Sequence, residues 1–220
     1  MRKFNIIRDP FDEDIFIFEK DFVEFDTGFT ALIGCNGAGK STLLKMIKED
    51  LKKRNIPCLI YNNLDDGGEH AKSKAGFVGD FQTFASLLSS SEGEQININF
   101  GNFVKEVGIF IRNNEDTSEL WILLDAIDSG LSVDTIAQVK NLFFDIIIND
   151  NKDKRNIYIL AAANSYELCR NSRCFDVMKC KYTEFSDYED YRTYILESWH
   201  TKMNRYEKQT RRKRNGKRNI

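Results

Sequence analysis

Apolar residues come in short runs at the start of the chain. Residues 4–7, 15–18 and 29–33 each read as a short β-type run, with a turn at Asp26, Thr27 and Gly28 before the third. The run 29–33 leads straight into a glycine-rich segment. Beyond it the spacing is that of a helix: over 41–54, Leu43, Leu44, Ile47 and Leu51 share one face among many lysines. The pattern then predicts a strand at 57–61, a polar, glycine-containing loop at 62–76, a short helix at 81–88 and a longer one at 94–112. Residues 120–125 are five apolar side chains ending in an acid, a buried strand. An amphipathic helix over 133–148, a buried strand at 157–162, a short helix at 165–170 and a strand at 175–178 follow. Ser186 and Glu189 have the spacing of a capping box and start a last helix that can continue into the C-terminal tail.

Strands alternating with helices predict an α/β fold, a mostly parallel sheet flanked by helices, with a small antiparallel side sheet built from the first strands. The 220 residues contain two prolines and no repeat or linker, which predicts one domain over 1–200 and a basic tail over 201–220.

Composition narrows the class. Apolar residues make up 41 % and charged residues 30 %, as in a globular domain. No apolar run approaches the ~20 residues that cross a bilayer, and residues 1–10 lack the apolar core of a secretory signal. A cytoplasmic protein with no membrane partner is therefore expected. Five cysteines, an odd number, suit a reducing compartment. Cys169, Cys174 and Cys180 lie close in sequence, but there is no C-x-x-C pair and the histidines are His70 and His200, so structural thiols are expected rather than zinc. The net charge of −2 hides an asymmetry: residues 202–220 hold nine Lys/Arg against Glu207, so the tail carries +8 and the rest −10. Such a tail suits nucleic acid, an anionic surface, the protein's own acidic body, or plain solvent.

The chemistry concentrates in Gly34, Cys35, Asn36, Gly37, Ala38, Gly39, Lys40, Ser41 and Thr42, which satisfy G-x-x-x-x-G-K-[ST]. Glycines let backbone N–H groups curl around a β-phosphate, and the following helix adds its positive end. Lys40 is placed to reach the β- and γ-phosphates and the Ser41 hydroxyl to ligate Mg²⁺, so ATP and Mg²⁺ are the expected ligands. Asp125, at the end of its apolar strand, matches the second metal-binding motif of such proteins, whose carboxylate holds the Mg²⁺.

The wording of these segments is more particular. Residues 33–44, with the series Gly34-Cys35-Asn36-Gly37-Ala38-Gly39-Lys40-Ser41-Thr42, resemble the "G-x-N-G-x-G-K-S-T-L-L" of ABC-type ATPases, including SMC and DNA-repair heads. Ser90-Ser91-Glu92-Gly93-Glu94-Gln95 resembles the ABC signature, Asp128-Ser129-Gly130-Leu131-Ser132 the D-loop, and Ala162-Ala163-Asn164-Ser165 the switch segment; Gln82 stands where a Q-loop glutamine and metal ligand could lie. The resemblance spans 30–168 in family order. It implies an ATP-dependent dimer in which each P-loop faces the partner's Ser91 and Gly93, released on hydrolysis and controlling an effector protein, in DNA repair or phage defence, or nucleic acid on the basic tail.

Three positions depart from the family. Ala126 replaces the acid that acts as general base, Asn164 replaces the switch histidine, and Ser132 replaces the D-loop Asp, with Asp134 nearby. A general base contributes about 10²–10⁴ in rate, so hydrolysis is expected to be slow unless another acid, Asp128 being nearest, activates the water. The alternative is an inactive ATP-binding regulatory or scaffold subunit. The segment between Lys40 and Ser91 is too short for coiled-coil arms or a transporter-type helical subdomain.

Overall fold

The computed structural model of the chain describes residues 1–7, 17–62, 92–129 and 131–216. Two strands, β1 (Arg2–Asn5) and β2 (Phe22–Phe25), pair antiparallel with Phe4 opposite Val23. The expected side sheet is present, but its second strand differs from expectation: Ile17 and Phe18 are not in a strand, Ile15 and Phe16 lie outside the described residues, and 22–25 takes the place. Only Val23 and Phe25 of this strand are buried, with Glu24 between them, and two apolar positions are too few to read as a strand.

The main sheet holds β3 (Gly28–Ile33), β4 (Cys58–Asn62), β5 (Glu119–Asp125), β6 (Asn156–Ala162), β7 (Arg173–Asp176) and β8 (Lys181–Thr183), in the order β4-β5-β6-β3-β7-β8. All neighbours run parallel except β7 and β8. Strand β7 begins two residues before the predicted run, and β8 was not expected, because Lys181, Tyr182 and Thr183 form an edge too short and polar to read as apolar.

Both faces of this sheet are covered, so its central strands β3, β5 and β6 are largely apolar and their residues sort by parity. Leu32, Trp121, Leu123, Tyr158 and Leu160 face one way, onto Leu43, Leu44, Ile47 and Leu51 of helix α1 (Lys40–Lys53) and onto Phe4, Val23 and Phe25 of the side sheet. Trp121 ties these layers together, stacked on Tyr158 at 4.1 Å and edge-on to Phe4 at 5.1 Å. Ala31, Ile33, Leu120, Ile122, Leu124, Ile157 and Ile159 face the other way. That side is covered by α2 (Glu92–Asn113) through Phe103 and Val107, by the segment 133–151, by the short α5 (Tyr166–Cys169) and by Tyr191 of the last helix.

The predicted helix over 133–148 is broken into α3 (Val133–Gln138), a π-helical stretch Val139–Phe144 and α4 (Asp145–Asn151). The wider turn brings two consecutive rings to the core: Phe144 stacks on Phe29 at 4.9 Å and Phe143 meets Phe103 edge-on at 6.2 Å.

Helix α6 (Tyr188–Gly216) runs without a break through the expected boundary at 200, so 201–216 is helix rather than frayed end. Its cap lies one residue beyond the predicted box: the Asp187 carboxylate accepts the Asp190 N–H at 2.9 Å, and the Asp190 carboxylate accepts the Ser186 N–H at 3.1 Å. All five cysteines are free thiols, four of them buried, and no metal-holding group of side chains is found among the described residues. No helix among the described residues is long and apolar enough to cross a membrane.

Candidate functional site

In the parallel part of the sheet the strand ends converge at one edge, where ligands of open α/β sheets collect. Strand β6 lies between β3 and β5. Its end therefore carries Asn164 and Ser165 between the glycine-rich loop after β3 and the acid after β5.

The loop is held in conformations that glycine alone adopts readily. Gly34, Gly37 and Gly39 have φ of +145°, +72° and +88°. A Cβ on Gly34 would sit 2.7 Å from the Ala38 Cβ, so the close turn itself demands the glycine. The Ala38 N–H donates to the Cys35 carbonyl at 3.0 Å, closing the loop. Helix α1 then starts at Gly39 with no side-chain cap and no acid in its first turn, which leaves its leading N–H groups for something anionic.

Lys40 is buried at the first position of α1, and its ammonium donates to the Gly34 carbonyl at 2.8 Å. Burial pushes its pKa down; Cys35, Asp128 and Asp125 nearby pull it back up. Ser41 donates from its hydroxyl to Asp125 Oδ1 at 3.0 Å, joining residues 84 apart in sequence. Thr42, next on α1, is exposed. These contacts bring together Lys40, Ser41 and Asp125, three of the residues singled out from sequence.

Asp128 also anchors backbone. Its Oδ2 accepts the backbone N–H groups of Asn164, at 2.6 Å, and of Ser165, at 2.5 Å, and so holds the end of β6. Its Oδ1 is buried with no hydrogen-bond partner among the described residues. Ala126 has φ +51°, left-handed backbone in a residue other than glycine, which costs about 1–2 kcal/mol and marks this turn as constrained. Asn164 is exposed, held through its backbone N–H by Asp128 and through its carbonyl by the Tyr191 hydroxyl at 3.0 Å.

Other expected members lie apart. Ser132 precedes α3 and exchanges a hydrogen bond with Thr135 at 2.8 Å; Asp134 is exposed, its carboxyl held below the usual range chiefly by the Ser132 hydroxyl. Gly93 falls within α2. Gln82 and Ser91 lie outside the described residues, as do the predicted loop 62–76, apart from Asn62, and the helix 81–88.

Helix α6 supplies contacts that no local pattern announced. The Ser198 hydroxyl accepts the Cys35 N–H at 3.1 Å, and the Lys202 ammonium donates to the Asn36 carbonyl at 2.8 Å, close over Gly37. Arg205 reaches the Ile17 carbonyl and the Glu19 carboxylate. A cavity of about 320 Å³ opens between α6 and the loop, lined by Gly34, Cys35, Asn36, Asn164, Tyr191 and Ile195 among others. The Ser198 and Lys202 contacts span more than 160 residues, so only the folded chain reveals them.

Compared with known proteins, the chain matches no protein-family model and no curated protein.

Ser198 offers a direct test of the α6 contact. Ser198→Ala leaves the Cys35 N–H unpaired in a buried position, which costs about 1–3 kcal/mol. Thermal unfolding should show a melting temperature lower by several degrees. An unchanged value would mean that α6 does not hold this end of the loop.

Proposed function

We propose that this chain is an ATP-binding P-loop ATPase of ABC/SMC type, whose ATP-driven dimerisation controls a partner and whose own hydrolysis is slow. The observation that carries the reading is the Ser41 hydroxyl on Asp125 Oδ1 at 3.0 Å, at the mouth of a loop bent by three positive-φ glycines.

The residues present fit ATP and Mg²⁺. A Cβ at Gly34 would clash with Ala38 and open the turn, α1 begins without a cap, and Asp128 Oδ1 is a buried acceptor with no partner among the described residues. Phosphates would be held by backbone N–H groups of 34–42 and by Lys40, and the metal by Ser41 and Asp125. Bound Mg²⁺ would neutralise charge between the β- and γ-phosphate oxygens. Lys40 would exchange the Gly34 carbonyl for phosphate oxygens, replacing an ion–dipole contact by one between opposite charges. Asp128 keeps Asn164 and Ser165 in place beside the loop, where the presence of a γ-phosphate would be sensed. The partner is an effector protein, or nucleic acid drawn to the basic end of α6.

A second reading, a regulatory or scaffold subunit that binds ATP without hydrolysing it, is favoured by Ala126 and by the use of Asp128 as a backbone anchor. Light scattering with and without ATP and Mg²⁺ tests the first reading. Molar mass should rise with nucleotide and fail to rise in Lys40→Ala. Bound nucleotide with unchanged mass would move the second reading ahead.

A further inference from the structure

Helix α6 meets the glycine-rich loop and its surroundings with Ser198, Lys202 and Arg205, whose spacing puts them on one helical face. The outer two are anchors. Ser198 is buried, and its hydroxyl accepts the Cys35 N–H at 3.1 Å. Arg205 is paired with the Glu19 carboxylate and also donates to the Ile17 carbonyl. Lys202, between them, ends differently. Its ammonium donates to the neutral Asn36 carbonyl at 2.8 Å, so close over the loop that a Cβ on Gly37 would lie 2.5 Å from Nζ.

Lys40 approaches the same loop from α1 and rests in the same way, on the Gly34 carbonyl at 2.8 Å. Two ammonium groups from different helices therefore converge on loop carbonyls two residues apart. A multiply charged anion in the loop would be drawn to both.

We infer that Lys202 is a ligand of the terminal phosphate of a bound nucleotide, supplied by α6 of the same chain, and that it makes the site favour a nucleoside triphosphate over a diphosphate. The inference rests on the P-loop reading above and adds to it a residue far outside the motif. Position selects the phosphate. The N–H groups at the start of α1 lie at the far end of the loop and suit the inner phosphates. Lys202 stands over Asn36 and Gly37, in the opening half of the loop, toward which Lys40 also reaches back. Since the loop lysine serves the β- and γ-phosphates, the γ-phosphate is the one that both ammonium groups would share. A diphosphate would keep the contacts of α1 and lose that of Lys202. The exchange of carbonyl for phosphate needs only the flexible lysine stem to turn, because Ser198 and Arg205 hold the helix in place.

Isothermal titration of the full chain with ATP and with ADP, each with Mg²⁺, tests this. Lys202→Met keeps the stem and removes the charge. It should lower ATP affinity by about ten- to a hundredfold and leave ADP affinity within about threefold. Lys202→Arg, which retains a cation, should keep most of the preference. Ser198→Ala loosens the same contact of helix with loop without altering a charge, and should affect both nucleotides alike. The contact forms within one chain, so the effect should persist at concentrations where light scattering gives a monomer. An unaltered chain that binds neither nucleotide, or a Lys40→Ala chain that binds both undiminished, would overturn the P-loop reading and this inference with it. Binding that is lost in Lys40→Ala but unchanged in Lys202→Met would overturn this inference alone. Equal losses of ATP and ADP in Lys202→Met would do the same, making Lys202 a structural tie between α6 and the loop.

Discussion

Lys40→Ala should lower ATP affinity on the order of a hundredfold or more, because an ammonium already stripped of much of its water is the strongest single partner the loop has for phosphate. The ammonium lies buried at 2.8 Å from the Gly34 carbonyl, so it needs no large rearrangement to reach a ligand in the same nest. Losing it removes charge-assisted hydrogen bonds worth about 1.5–3 kcal/mol each. The fold should survive, because α1 is held by Leu43, Leu44, Ile47 and Leu51 rather than by Lys40. Isothermal titration with ATP and Mg²⁺, beside a circular dichroism spectrum, decides the matter. An affinity within about threefold of the unaltered chain would sink the phosphate-binding role of the loop.

Ala126→Glu should raise the rate of phosphate release by about 10²–10⁴, the usual contribution of a general base. The site is ready to receive it in two respects. Alanine already occupies the left-handed backbone at φ +51°, so a glutamate there adds little further strain. Asp125 and Asp128 lie on either side in sequence, and neighbouring carboxylates would raise the new group's pKa toward the working pH. Steady-state phosphate release under saturating ATP measures the effect, with Ala126→Gln as the control that should stay slow. No gain from the glutamate would favour the non-hydrolysing subunit, whose switch would then be binding and release alone.

Much of this site was legible because its parts are local. Residues 34–42 specify a turn by glycine spacing, and the helix after them by the 3.6 period, so loop and helix could be read together. Asp125 was readable as the polar end of an apolar strand, but its hydrogen bond to Ser41 reaches past the end of β6, which lies between β5 and β3. The side-sheet strand 22–25 and the edge strand β8 were not legible, since each takes its identity from a partner strand rather than from its own pattern. The π-helical stretch escaped for a similar reason: Phe143 and Phe144 are drawn inward by Phe103 and Phe29, which lie on other elements.

The role of Asp128 shows the limit most clearly. In sequence it was the nearest spare carboxylate to Ala126, and proximity along the chain suggested a base. In the fold, β6 inserts between β3 and β5 and brings the Asn164 and Ser165 N–H groups onto that carboxylate, which also anchors them. Sequence by itself determined the α/β class, the glycine-rich turn and the residues of the motif, because these depend on backbone freedom and periodicity within about a dozen residues. Tertiary structure decided the strand order, the partner of each carboxylate and the placement of α6 on the loop. Those depend on which distant surfaces must be buried together, and no single stretch of chain encodes that by itself.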